Sequence, residues 1–365
     1  MNRHSGAMAK TAVVLFNLGG PDRLGAVRPF LFNLFNDPSI IELPAVLRWP
    51  LAKFISARRA PLAREIYAHL GGGSPLLANT RAQADALGAA LNQTGGSARV
   101  FITMRYWHPF AHETVRAVKD YAPERVVLLP LYPQYSASTT GSSLADWRNA
   151  ARKAGLSCPS RAVCCYPANP GFVAAVAANV RAALGKLQQV GAGAPRVLFS
   201  AHGLPKRMVE AGDPYQWQVE RSVAAIIAAL GAPGLGRSGL DWTVCYQSRV
   251  GPLEWLGPST DAEIARCGKL KRPAVVVPVA FVSEHSETLV ELDIEYKKLA
   301  DRSGVPRYLR VATVGTDSAF IGGLAGLVRA AEAGAGALCR GPMEAACPGN
   351  FVRCPHLGAA AVRTP

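Results

Sequence analysis

The stretch VLFSAHGLP at residues 197–205 decides the fold. Val197, Leu198 and Phe199 form a short apolar run, Ser200 and Ala201 are small, and the run delivers His202 into a Gly/Pro turn. Strands covered on both faces read as continuous apolar runs of this kind. Open α/β sheets place their ligands at the loops beyond the carboxyl ends of such strands. A histidine there can exchange a proton near neutral pH or bind a metal through a ring nitrogen; a turn histidine that only ends a strand is the plainer alternative.

The motif has a counterpart. Residues 13–21 read VVLFNLGGP, about 183 residues earlier. Residues 126–140, VVLLPLYPQYSASTT, pair in the same way with residues 275–289, VVVPVAFVSEHSETL, at about 148 residues, which aligns Pro130 with Pro278. Two strand–turn units repeated in the same order predict two similar lobes. The shorter second offset leaves about 35 extra residues in the first lobe, between residues 28 and 75.

Strands are predicted at 12–18, 101–107, 125–131, 161–166, 196–200, 241–246, 274–280 and 307–312. Helices are predicted at 79–91, 111–121, 144–154, 170–189, 215–230, 260–267, 286–300 and 318–333. This alternation predicts an α/β fold: two similar Rossmann-like lobes with parallel sheets, crossover helices and a central cleft. The expected organisation is a disordered start at 1–10, an N-terminal lobe at 11–190 with an insertion at about 28–70, a C-terminal lobe at 191–333 and a cysteine-containing tail at 334–365. The insertion carries Leu31, Phe32, Leu34, Phe35, Ile40, Ile41, Leu47, Trp49, Leu51, Phe54 and Ile55, more apolar side chains than a surface excursion requires. A lid over an apolar ligand, a surface that touches membrane and a helical hairpin packed on its own lobe all fit that composition.

The chain has 365 residues, enough for two sizeable cores, and 49% of them are hydrophobic, which fits a globular protein. No apolar run approaches the ~20 residues of a membrane span. The start MNRHSGAMAK is polar, and the apolar stretch after it is too short for a secretion signal, so a cytoplasmic location is expected. The net charge of +15 suits an anionic partner. Apart from a cluster at Lys53, Arg58, Arg59 and Arg64 the basic residues are scattered, and no nucleic-acid-reading module is present. GGGSP at 71–75 lacks the lysine and spacing of a phosphate-binding loop.

Two further patterns carry chemistry. In FVSEHSETLVELDIEY, residues 281–296, Glu284, Glu287, Glu291 and Glu295 recur at i, i+3, i+7 and i+11, with His285 and Asp293 nearby. On a helix they predict an acidic stripe whose mutual repulsion a cation would relieve, although a solvated acidic face has the same pattern. The repeat brings this helix start and the His202 turn to the same cleft. The eight cysteines, in a chain expected to be cytoplasmic, argue against structural disulfides. Cys158, Cys164 and Cys165 lie mid-chain, Cys245 and Cys267 are isolated, and Cys339, Cys347 and Cys354 crowd a Gly/Pro-rich tail.

LFNLGGP, GGGSPL, MRYWHP, YPQYSASTTGSS, LFSAHGLP, YQSRVGPLEWLGPST and SEHSETLVELDIEY stand in this order along the chain. Together they closely resemble the ferrochelatases, over nearly all of residues 11–330. The resemblance implies an enzyme that inserts Fe(II) into protoporphyrin IX, with His202 and Glu287 catalytic. It implies that the substrate iron meets His202, Glu287, His285, Glu291 and Glu295. Arg105 and Tyr106 match residues on the opposite side of the macrocycle. Ser74, Tyr67 and Tyr132 match residues near its edge or propionates, and Phe281 and Trp255 match pocket walls. The stretch 31–64 is similar to a pocket lip that touches membrane in some members, so a peripheral position on the inner face of a membrane is considered, as is a homodimer. The same constellation fits His202 as proton acceptor or as iron ligand; proton acceptance is favoured.

Some members also hold a 2Fe–2S cluster on three C-terminal cysteines and one internal cysteine. Four thiolates are the usual ligand set for such a cluster. The resemblance assigns Cys339, Cys347 and Cys354 here. The internal position used in animal members is Ala137, so the fourth ligand comes from Cys158, Cys164 or Cys165, and Cys165 is chosen. Zinc is disfavoured because the tail lacks a C-x2-C knuckle. The competing functions are a ferrochelatase acting on coproporphyrin, a type II chelatase for cobalt or nickel and, in a different class, a haem-binding protein.

Overall fold

The computed structural model describes residues 9–93, 95–231, 239–249, 251–334, 338–340 and 347–356. The first half runs β1 (Thr11–Asn17), α1 (Val27–Phe35), α2 (Ala45–Ala68), α3 (Leu76–Asn92), β2 (Ala98–Met104), α4 (Ala111–Tyr121), β3 (Arg125–Pro130), a π-helical turn (Ala137–Gly141), α5 (Ser142–Ala154), β4 (Ser160–Cys165) and α6 (Pro170–Gln189). The second half runs β5 (Arg196–His202), α7 (Lys206–Glu210), α8 (Tyr215–Leu230), β6 (Asp241–Gln247), α9 (Thr260–Lys269), β7 (Ala274–Pro278), a π-helix (Glu287–Glu295), α10 (Tyr296–Arg302), β8 (Tyr308–Arg310), α11 (Ser318–Ala333) and β9 (Leu338–Arg340).

Two parallel sheets form, in the orders β2-β1-β3-β4-β9 and β6-β5-β7-β8. The first four strands of each half thus follow one topology. β1 corresponds to β5 and β3 to β7, the pairing that the two repeated motifs predict. The likeness extends past the strands, because β3 and β7 each lead into a π-helical segment. β1 is buried along its whole length, as a central parallel strand covered on both faces must be. Each fully buried Val or Leu in such a strand contributes about 1.5–3 kcal/mol relative to an exposed one.

The extra residues of the first half are the helical hairpin α1–α2, which packs on itself and on Tyr106 and Trp107 at the end of β2. The segment is thus a helical hairpin packed on its own half, a shape compatible with the other two readings as well. α11 and β9 return to the first sheet, where α11 packs on α3, α6 and β4 and β9 pairs with β4. Residues 191–333 therefore do not all stay with the second sheet, as the sequence reading expected. One continuous core joins the halves, with Val13, Leu87, Phe172 and Phe320 in contact with the same cluster as Phe199, Ile226 and Val277. The expected disordered start lies, for residues 1–8, outside the described residues, as do 335–337, 341–346 and 357–365 of the tail.

Candidate active site

His202 is the last residue of β5, in register with Gln247 at the end of β6. The sheet therefore presents the imidazole at its carboxyl edge. The next residue must be glycine: a Cβ on Gly203 would stand 2.8 Å from the Gln247 carbonyl oxygen and 3.3 Å from the Trp255 ring. Gly203 N donates to that carbonyl and Tyr215 Oη donates to the His202 carbonyl at 3.1 Å, so the backbone on both sides of the imidazole is fixed.

His202 Nδ1 pairs with Glu287 Oε2 at 2.8 Å. Burial works against a charged His202, but the Glu287 charge and hydrogen bond outweigh it, with Glu291 adding to them, and the pKa lies above the usual 6.5. For Glu287, burial would raise the pKa. The His202 charge and hydrogen bond, His285 and the Ser248 hydroxyl overcome this and bring the carboxyl down from 4.5 to about 2. With Nδ1–H directed at a carboxylate, neutral His202 keeps Nε2 as its basic atom.

Glu291 lies one π-turn further on. It accepts from Ser248 N at 2.8 Å, Ser248 Oγ at 2.5 Å, Gln247 Nε2 at 3.1 Å and Tyr296 Oη at 3.1 Å. Burial first, and then Glu287, push its pKa up. Ser248 Oγ also lies 3.3 Å from Glu287 Oε2, so one hydroxyl spans both carboxylates. Ser248 has φ 59°, a left-handed conformation that is uncommon outside glycine.

Two cavities meet here. One, of about 230 Å³, is lined by His202, Tyr106, Tyr132, Phe281, His285 and the lip residues Leu34 and Ile40, among others. The other, of about 680 Å³, is lined by Glu287, Glu291 and Glu295 on one side and by α2 residues, including Arg59, Leu62 and Tyr67, on another. Leu34 and Glu287 line both. In a helix with i→i+5 hydrogen bonds, residues four apart share a face, which accounts for the row of three glutamates. Glu284 is not part of that row, contrary to the spacing argument. It precedes the π-helix and is held by Arg310 Nη1 at 2.6 Å and by Thr313 N at 2.9 Å. Asp293 is spent on the same arginine, at 2.5 Å.

The remaining expected residues divide by position. His285 is buried beside the Phe281 ring, centroids 4.7 Å apart, and its Nδ1–H donates to the Ser283 carbonyl, which leaves Nε2 available when the ring is neutral. Tyr67 and Trp255 line the larger cavity. Burial, with Ser286 opposing it and Glu287 adding to it, pushes the Tyr67 pKa up to about 12. Arg105 and Ser74 line neither cavity. Arg105 is paired with the buried Asp37 at 2.8 Å, and Ser74 packs under Gly20. Sequence reading missed Ser248, Gln247 and Tyr296, the donors that hold Glu291, as well as Asp37. Gln247 and Ser248 stand in the quoted YQSRVGP motif, which was their available signal. Arg59 and Arg249 are the cations lining the larger cavity.

The cysteines gather elsewhere. A register shift between Val163 and Cys165 in β4 brings Cys164 Sγ and Cys165 Sγ to 3.4 Å. Cys347 and Cys354 are buried and hydrogen-bonded to each other, and Gln218 Nε2 donates to Cys347 Sγ at 3.4 Å. The Cys164–Cys165 hydrogen bond, burial and the other thiols, Cys347 and Cys354 included, all raise the Cys164 pKa. Cys339 lies opposite Val163 in the β9–β4 ladder, and its side chain is outside the described residues. Cys158 is apart, its thiol turned to the Pro123 carbonyl. Among the described residues no three His, Cys, Asp or Glu side chains converge as a metal site.

Comparison with known proteins identifies the family. The model of the family described as "Ferrochelatase" matches residues 10–332. A ferrochelatase of Pelagibacter ubique is 48% identical over 350 residues, covering 95% of this chain and 99% of that protein. One of Caulobacter vibrioides is 54% identical over 325 residues, covering 88% of this chain and 90% of that one. Among solved structures, SirB from Bacillus subtilis with Fe3+ superposes with a TM-score of 0.51 at 13% identity, covering 89% of this chain and 96% of that one, a likeness of fold alone.

Proposed function

The chain belongs to the ferrochelatase family, and from that premise we propose that it inserts Fe(II) into protoporphyrin IX at the His202 cavity, the step that forms protohaem. One observation carries the reading. The His202 ring opens on an aromatic-walled cavity, its partner Glu287 stands in the wall shared with a second cavity, and Glu291 and Glu295 line that second cavity. Metallation removes two pyrrole protons from the macrocycle and admits one dication. His202 Nε2 accepts the two protons one after the other, Glu287 stabilises the imidazolium each time, and the carboxylate row offers a route by which each proton leaves for solvent and the iron enters.

The smaller cavity is below the ~300 Å³ of common ligand sites, so a macrocycle fills it by extending past Leu34 or by moving the lip. A fit that bends the ring would turn pyrrole lone pairs toward the metal, with binding as the source of the strain. Protoporphyrin has two carboxylates and apolar vinyl groups, whereas coproporphyrin has four carboxylates. Arg59, Arg249 and the leucines of the larger cavity match the former. Anaerobic Fe(II) insertion followed by absorbance, with both porphyrins side by side, tests this. Faster turnover of protoporphyrin is expected; turnover of coproporphyrin alone would overturn the substrate assignment.

The lip supports contact with a membrane surface. Val46 (80% exposed), Leu47, Trp49, Phe54 and Leu62 project from α2 or its first turn beside Arg48, Lys53, Arg58 and Arg64. No helix among the described residues is long and apolar enough to span a bilayer, so contact would be peripheral. The protein is expected to co-sediment with vesicles containing anionic lipid, and Trp49→Glu with Phe54→Glu should abolish this; unchanged binding by the double variant contradicts the lip assignment.

We further propose a 2Fe–2S cluster on Cys165, Cys339, Cys347 and Cys354; the burial of Cys165, Cys347 and Cys354 supports it, and the Cys339 side chain lies outside the described residues. Buried thiols that raise one another's pKa are poor thiolates until a metal supplies positive charge. Such a cluster would supply an iron-dependent, redox-active staple for the tail. Protein produced with ample iron is expected to be red-brown, with iron and acid-labile sulfide in equal amounts. A stable, colourless, iron-free protein would contradict the assignment.

A further inference from the structure

Arg105, expected at the macrocycle, is committed to another group. The turn between the lip helices begins at Asp37, which is 2% exposed. Asp37 Oδ2 accepts from Tyr106 Oη at 2.8 Å, Arg105 Nη2 at 2.8 Å and Ser142 Oγ at 2.5 Å, and Oδ1 accepts from Ser39 N at 2.8 Å. Burial opposes its charge, but Arg105 and these donors outweigh that, and the carboxyl is held below its usual range. Three parts of the chain meet on this one carboxylate: the end of β2 through Arg105 and Tyr106, the start of α5 through Ser142, and the lip itself. Asn33 Nδ2 adds a second tie from α1 to the Tyr106 carbonyl at 3.1 Å.

Leu34 and Ile40, three residues to either side of Asp37, are the lip side chains that line the His202 cavity. Their placement is set by the node between them. We propose that Asp37 is a positioning residue for the macrocycle: it anchors the lip hairpin so that Leu34 and Ile40 cover the His202 cavity, and it holds Arg105 away from that cavity. Asp37 touches no carboxylate of the metal row. Its effect on the reaction is therefore expected on the porphyrin and not on the iron.

The proposal rests on the reading that the porphyrin occupies the His202 cavity, and the test separates the two. In Asp37→Asn the side-chain oxygen can still accept hydrogen bonds, but Arg105 loses its nearer charge and keeps only Asp146, at 3.8 Å; breaking a buried pair from one side is strongly disruptive. The expected result is a porphyrin KM raised about tenfold or more, with kcat and the Fe(II) KM changed by less than about threefold. Amide hydrogen exchange, measured without substrate, should accelerate in residues 33–48 while β1 and β3 stay protected. Ser142→Ala removes the hydroxyl that donates to Asp37 and accepts from Arg105 Nε at 2.7 Å, keeps the charges balanced, and should shift both readouts in the same direction by less. It decides the matter if Asp37→Asn does not fold. Unchanged exchange in 33–48 overturns the anchor. Faster lip exchange with an unchanged porphyrin KM, in a protein whose native form turns porphyrin over, overturns the positioning role. Failure of the native protein to bind porphyrin would instead overturn the cavity reading and leave the exchange result to decide the anchor.

Discussion

Replacing His202 by alanine is expected to lower kcat for iron insertion by about 10²–10⁴-fold, the range that a positioned acid–base group supplies. Porphyrin binding, followed by fluorescence quenching, should change by less than about threefold, because the cavity is walled mainly by Leu34, Ile40, Leu76, Tyr106, Tyr132 and Phe281 and the imidazole is a small part of its surface. The substitution leaves the fold intact, since the His202 backbone is held by β6, Gly203 and Tyr215 and not by its own ring. Retained turnover would remove His202 from the proton path. Porphyrin binding lost together with turnover would make the residue a wall of the pocket and not its base.

Glu287→Gln is expected to act through the same imidazole and to leave a signature in pH. Glu287 raises the His202 pKa, and proton acceptance requires the neutral ring. In the native enzyme the acid limb of kcat/KM therefore lies above pH 6.5, and activity falls as pH drops through it. Without the carboxylate the His202 pKa falls and the limb moves to lower pH. The plateau rate drops about 10²-fold because the imidazolium loses its partner. Stability shifts in a matching window. Glu287, held at about 2, contributes stability above pH 4.5 that is lost as pH falls toward 2. His202, raised above 6.5, contributes stability in full below 6.5 that is lost as pH rises through its folded value. The difference in melting temperature between native and Glu287→Gln protein should be largest between pH 4.5 and 6.5. A limb that does not move would show that His202 and Glu287 titrate independently.

The parts of the structure legible in the sequence are those written locally. VVLFNLGGP and VLFSAHGLP read as equivalent strand–turn units because central parallel strands need continuous apolar residues, and β1 and β5 do occupy the same place in their sheets. The meeting of His202 and Glu287 was legible because a polar residue at such a strand end, and a carboxylate at the start of the segment after β7, come to one edge of the sheet. What was not legible depends on geometry that the pattern does not encode. Glu284 falls at helical spacing from Glu287, yet it precedes the helix and is taken by Arg310, a residue 26 positions away. The π-helical winding that aligns Glu287, Glu291 and Glu295 leaves no mark in an i, i+4 count, since an α-helix has nearly the same spacing. The resemblance placed Arg105 at the macrocycle, and its pairing with Asp37, 68 positions earlier, has no local signal. The return of α11 and β9 to the first sheet is likewise invisible locally, because the composition of α11 suits either face.

The most direct test of the account is a crystal structure of the protein with a metal-free porphyrin bound. The ring is expected within the cavities bounded by Leu34 and Glu287, with His202 Nε2 turned toward the pyrrole nitrogens and the Glu287–Glu291–Glu295 row on the side from which the metal arrives. A porphyrin bound outside these cavities, or with its nitrogens turned away from His202, would contradict it.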